Sequence, residues 1–283
     1  MTQLLICISL AIGTISLVVV RRKLTCTTLF APWWWSLSAL VAAAAVDLFA
    51  VWKWTGDDAS TSALRYAARV LLLCPTISLI GAKRPQDGPW NFIVASLWGV
   101  LALPAAEALL LNTGQPLEVQ GFRSWFVLLL VSISLINSLP TRHAFPTLLA
   151  TSGQLLLLGE YLPWPLPQSA ATTPFGFVLL ALAAAILALQ PPQSSAVTSL
   201  DRLWLDFRDY FGLFWGLRVQ ERLLSAAKMY DWPVTLHWTG WMKVDGQPLR
   251  EELPPETQRA IMTTWRGLLR RFVTNDWIEK RLN

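Results

Sequence analysis

Along the first two thirds of the chain, long apolar runs alternate with short polar clusters. An α-helix rises ~1.5 Å per residue, so about 20 mainly apolar residues carry it across a hydrocarbon core of roughly 30 Å. Seven segments come close to that standard: Thr2–Val20, Pro32–Trp52, Ser62–Gly81, Asn91–Leu111, Phe122–Leu139, Phe145–Leu162 and Phe175–Gln190. Two of them depart from it. The third carries Arg65 and Arg69 in its first turns, and the sixth is short, opens on Phe145-Pro146 and contains Gln154 and Glu160.

The pattern changes after Gln190. A Pro/Gln/Ser linker leads to Thr198-x-x-Asp201, a helix-start signal in which the threonine side chain caps the first free N–H groups. Leu200, Trp204, Phe207, Phe211 and then Phe214 or Trp215 recur at helical spacing, with Arg202, Asp206 and Asp209 on another side. Alternation over Pro233–Trp238 and the turn signal Asp245-Gly246 predict a short hairpin. Pro254-Pro255-Glu256 opens a further helix with Ile261, Trp265, Leu268 and Phe272 on one face and Arg266, Arg270 and Arg271 off it. The expected fold class is mainly α: a polytopic transmembrane bundle of about seven helices over 1–190, then a small C-terminal α+β module over 191–283.

Composition agrees with lipid as the main solvent of the first region, since 54% of the 283 residues are hydrophobic, 14% are charged and mean hydropathy is +0.43. Of 41 charged residues, 24 lie beyond Gln190. The net charge of +5 is spread over short loops and a tail with eleven acids, which argues for topology and against nucleic acid. Arg21-Arg22-Lys23, Lys83-Arg84 and Arg142 fall in alternate loops, so these are expected on the cytoplasmic side of a plasma (inner) membrane. Lys53 and Arg123, against Asp57, Asp58 and Glu118, occupy the opposite loops. That arrangement puts the N-terminus outside and, after seven crossings, the module in the cytoplasm. The basic triplet follows the first apolar run, as in a retained anchor; a cleaved signal peptide has it before. Trp33-Trp34-Trp35 and Trp52/Trp54 bracket the second segment roughly 26 Å apart, as two interfacial belts would.

Candidate chemistry centres on charge inside the apolar segments. Asp47, Glu107 and Glu160 each lie about a turn inside the outer end of the second, fourth and sixth segments, and Arg65 and Arg69 start the third on one helix face. Buried charge in a bilayer costs several kcal/mol unless paired or hydrated. The five residues therefore form either an outward-facing polar pocket or a set of interfacial staples. Pro104 could free carbonyls in the fourth segment, while Thr151-Ser152-Gly153-Gln154 suits close helix packing. The aromatic face of Trp204, Phe207, Phe211, Phe214 and Trp215 has three readings: the module's own core, a helix lying in the headgroups, or a docking face for a protein partner.

Several functions are argued against. The two histidines, His143 and His237, give neither intramembrane bis-His haem ligation nor an H-E-x-x-H zinc site. Cys7, Cys26 and Cys74 have no metal-binding or disulfide spacing. No phosphate-binding G-x-x-x-x-G-K-[ST] loop occurs, and the seventh segment has no lysine for a retinal Schiff base. No cofactor is implied, and catalytic residue types are too few to favour an enzyme. A membrane scaffold or sensor acting through its cytoplasmic tail, with lipid and a protein as partners, is the leading expectation. A small transporter or channel using the outer Asp/Glu/Arg cluster is the rival.

Overall fold

The computed structural model describes residues 1–50, 58–111, 117, 119, 121–191, 198–249 and 253–282. Trp52, Lys53, Trp54, Asp57, Glu118 and linker residues 192–197 lie outside them. The chain is mainly helical: α1 (Thr2–Lys23), α2 (Phe30–Phe49), α3 (Asp58–Val70), α4 (Cys74–Ile80), α5 (Asp87–Leu110), α6 (Phe122–Ser138), α7 (Ala144–Leu158) and α8 (Thr172–Leu189) cover the apolar segments.

Among the described residues five helices are long and apolar enough to cross a membrane: α1, α2, the joined α3–α4 stretch from Ala59 to Ile80, α5 from Gly88, and α8. The third segment qualifies despite its arginines, with 22 residues and a mean hydropathy of 1.5. Two of the seven expected crossings fall short by length. Helix α6 has 17 residues, and α7 has 15 before it tightens into a 3-10 turn at Gly159–Tyr161.

Burial on α1 is inverted relative to a helix of a protein that folds in water. Helix α1 buries Ile6, Ser9, Gly13 and Ser16, while Ile8 and Ile15 stand 46% and 65% exposed. Small residues allow close backbone approach where lipid supplies no hydrophobic drive between helices, and most large apolar side chains of α1 face outward. A Cβ on Gly153 of α7 would come 2.8 Å from the carbonyl oxygen of Gly176 on α8. That contact gives Thr151–Gln154 the packing role its small residues suggested.

Pro75 explains the α3–α4 break. It has no N–H for Leu71, whose carbonyl instead accepts from Cys74 in a 3-10 turn over Leu71–Leu73. The side chain of Gln154 supplies a donor to Leu72 O at 2.9 Å, so a backbone group freed within the apolar region is satisfied by a neighbouring helix. Pro104 lies inside α5, which continues to Leu110.

The C-terminal module comprises α9 (Ser199–Met229), β1 (Val234–His237), β2 (Gly240–Lys243), α10 (Pro255–Leu269) and α11 (Asn275–Leu282). Thr198 caps α9, accepting from Asp201 N at 3.1 Å. The antiparallel hairpin pairs Val234 with Lys243 and His237 with Gly240, so its turn is Trp238-Thr239. The expected turn at Asp245-Gly246 comes one step later and folds the chain back so that Pro248 bridges to Met242. Trp204, Phe207 and Phe211 are fully buried with Trp241, Ile261, Trp265 and Phe272. Rings this large each contribute a few kcal/mol when removed from water, which gives the small module a core.

Candidate functional site

Helices α1, α3–α4, α6 and α8 end at the same end of the bundle, where α2, α5 and α7 begin, and the module sits there. Three connections bind it through backbone groups. Between α1 and α2, Thr28 N donates to Phe272 O at 2.9 Å and Thr274 N donates to Cys26 O at 2.9 Å. Between α4 and α5, Arg84 N donates to Arg271 O at 2.8 Å. Between α6 and α7, Pro140 O accepts from Trp238 Nε1 at 2.9 Å.

The tightest point of this seam is a bend in α9 at Gly212, where φ is +76° and ψ is −168°. The bend leaves the first N–H groups of the second half of α9 without helical acceptors. Asn137, buried at the end of α6, takes one of them, with its Oδ1 3.1 Å from Phe214 N. The aromatic face is thereby divided. Trp204, Phe207 and Phe211 are enclosed in the module's own core, so neither the headgroup reading nor the partner-docking reading applies to them. Trp215 reaches the bundle, donating from Nε1 to Leu79 O at 3.1 Å, and Phe214 remains 39% exposed beside it.

The buried carboxylates at the seam are paired. The Asp209 carboxylate is fully buried, 2.8 Å from Arg208 Nη2 and 3.6 Å from Arg142 Nε. Arg281 Nε holds Asp206 at 2.6 Å. Lys23 at the end of α1 donates from Nζ to the carbonyls of Leu187, Ala188 and Gln190 at 3.1, 2.6 and 2.8 Å, closing the C-terminus of α8 with a cation at its negative end. His143 Nδ1 lies 2.6 Å from Gln190 Oε1.

Burial holds the His143 imidazole below its ordinary pKa of 6.5, with repulsion from Arg142 adding to the effect and attraction from Asp209 opposing it. The folded state thus prefers neutral His143. Below about pH 6.5 a solvated histidine takes up a proton that the docked one resists, so stability rises with pH through that window and is lost on acidification. The melting temperature of the purified protein should fall as pH is lowered from about 7 towards 5. His143→Asn should flatten that slope, and an unchanged slope would show that another group carries it.

All five charged residues expected to share a depth lie at the far end of the bundle, and four of them line one cavity. Asp47, at the end of α2, is buried between Arg65 Nε at 2.7 Å and Arg69 Nη2 at 3.2 Å. Arg69 is itself buried, and donates to Leu157 O on α7 at 2.9 Å and to Thr173 Oγ1 on α8 at 3.2 Å. Asp47, Arg65, Arg69, Thr173 and Glu160 line a cavity of about 360 Å³ that also meets Thr2 and Gln3. Glu107 is not among the lining residues. It pairs with Arg123 at the start of α6, at 3.3 Å, with both side chains more than 40% exposed. A pair that open to solvent is worth little.

Sequence reasoning missed the seam residues Asn137, Gly212 and Trp238, and it assigned the basic loops to topology alone. The one signal for Gly212 was a glycine in the middle of a long aromatic helix. Among the described residues no three His, Cys, Asp or Glu side chains gather as a metal ion would require. Compared with family models, with curated proteins and with solved structures, the chain has no match.

Proposed function

We propose that this protein is a membrane-embedded sensor in which the far-end polar cavity is the input and the C-terminal module is the output. The observation that carries this reading is the placement of α8. At its first turn Thr173 holds Arg69 of the cavity, and at its last turn Leu187, Ala188 and Gln190 hold Lys23 at the seam. A helix of 18 residues spans ~27 Å as one rigid element, so a shift at either end is felt at the other.

In this reading the chain crosses a plasma (inner) membrane seven times. The N-terminus and the Asp47 cavity face outward and the module is cytoplasmic, where it meets a protein partner. The positive-inside distribution supports that sidedness, because Arg21, Arg22, Lys83, Arg84 and Arg142 all gather at the end where the module docks.

Hydrogen exchange on the full-length protein in nanodiscs tests the coupling. Thr173→Val and Glu160→Gln alter the cavity without touching the module. Each should change amide exchange around residues 137–143 and 209–215 by several-fold. Identical exchange at the seam in both variants and the unaltered protein would overturn the sensor reading.

A second reading, a small transporter, is supported by the polar cavity itself, since Arg65 and Glu160 are accessible beside a buried ion pair. Solute flux into liposomes that is lost with Glu160→Gln, while seam exchange stays unchanged, would favour it.

A further inference from the structure

The seam contains a second cavity, of about 300 Å³, between the ends of α1 and α8 and the helices α9 and α11 of the module. Five cationic side chains line it, Arg22, Lys23, Arg142, Lys280 and Arg281, against one carboxylate, Asp206. That carboxylate is committed to Arg281, and Arg142 is paired with the buried Asp209 behind the lining. Lys23 spends its protons on the carbonyls of α8, yet its charge remains. Arg281 is further fixed over the Trp277 ring, 3.6 Å from its centroid. Arg22 and Lys280 are exposed and, among the described residues, form no ion pair.

Like charges gathered around one hollow raise one another's energy, and a bound anion relieves that repulsion further than water and salt do. The apolar helices α1 and α8 end at this hollow, and the volume suits a phosphate ester with its alcohol. We infer that the cavity is an anion site for a phosphate ester, reached either by the headgroup of an anionic phospholipid or by a soluble phosphate monoester. The two free cations, Arg22 and Lys280, supply the direct donors. Arg281 and Lys23 set the positive potential around them. A ligand held there bridges α1 to α11, and so ties the bundle to the module. The site needs no ligand at the far-end cavity, and its failure would leave the sensor reading standing.

The test uses the full-length protein in phosphatidylcholine nanodiscs, titrated calorimetrically with dioctanoyl phosphatidylglycerol, with glycerol 3-phosphate and with dioctanoyl phosphatidylcholine. The anionic lipid, the soluble ester or both should bind, and the zwitterionic lipid should bind more weakly. Arg22→Gln/Lys280→Gln should weaken anion binding about ten-fold or more. Arg259→Gln/Arg270→Gln removes the same charge from the exposed side of the module and should leave binding intact. If only the lipid binds, the headgroup is the source; if the soluble ester binds equally well, the site is a phosphate-ester site in its own right. Equal binding by the unaltered protein and the Arg22→Gln/Lys280→Gln variant, equal loss in the two double variants, or no preference for anions would overturn the proposal.

Discussion

Replacing Gly212 with alanine is expected to undock the module from the helix bundle. Two costs act together at this position. The backbone, at φ +76° and ψ −168°, lies where only glycine is comfortable. A Cβ added there would also collide with the Asn137 side chain and lie 2.7 Å from its carbonyl oxygen. Strain of this kind costs about 1–3 kcal/mol, and forcing an extra carbon into a closed contact costs a similar amount, so a total of about 2–6 kcal/mol is expected. Limited proteolysis of the purified protein should then cleave near the seam in Gly212→Ala but not in the unaltered chain. Asn137→Ala alone loses the bond to Phe214 N and leaves a part-buried donor to find water, at about 0.5–1.5 kcal/mol. The Gly212→Ala/Asn137→Ala pair separates the causes: partial recovery would assign the difference to the collision and the remainder to the backbone. A Gly212→Ala protein as resistant to protease as the original would refute the account of the bend.

The elements that sequence reading located are those set by local patterns. The apolar runs became helices because a peptide backbone in hydrocarbon has to satisfy its own hydrogen bonds, and the run lengths approximate their extents. Thr198-x-x-Asp201 was legible for the same reason, since a cap involves residues three apart. The hairpin turn was misplaced because Asp245-Gly246 is a strong turn signal whatever precedes it, whereas Trp238-Thr239 turns on the conformation of Gly240, at φ +141°. Helix α11 was missed because eight residues rich in charge carry little periodicity, and its burial of Trp277 and Ile278 depends on the module closing around them.

The candidate site shows the same division between depth and direction. Position along each segment groups Asp47, Arg65, Arg69, Glu107 and Glu160 by depth, because rise per residue is constant, and four of the five line one cavity. It could not give the azimuth of each helix, so Glu107 was grouped with residues whose cavity it does not line, while its partner Arg123 was read as part of a loop. The aromatic face of α9 was legible as a face. What covers it was not, since Trp265 and Phe272 lie more than fifty residues later. The anion site was hidden more completely: Arg22, Arg142 and Lys280 each look like ordinary loop or surface charges until the chain brings them together.

Removal of the Asp47 carboxylate tests the far-end cluster with the other large effect. Asp47 and Arg69 are each 4% exposed at the side chain, whereas Arg65 is 38% exposed. Asp47→Ala strands the Arg69 guanidinium with only neutral acceptors, Leu157 O and Thr173 Oγ1. Breaking a buried pair from one side costs about 3–5 kcal/mol, since the remaining charge keeps its desolvation penalty and loses its compensation. Arg65→Gln removes a partner that solvent already screens and should cost less than about 1 kcal/mol. The ranking therefore follows burial and not distance, although Arg65 makes the shorter contact. Asp47→Ala/Arg69→Met, which removes both charges and leaves an apolar chain of similar length, should recover much of the loss, because no uncompensated ion remains. Melting temperatures in one detergent, compared across the three variants, measure the ranking. If Asp47→Ala cost no more than Arg65→Gln, or if the double variant were worse than the single one, the far end would owe its stability to the packing of α2 against α3 and not to the ion pair.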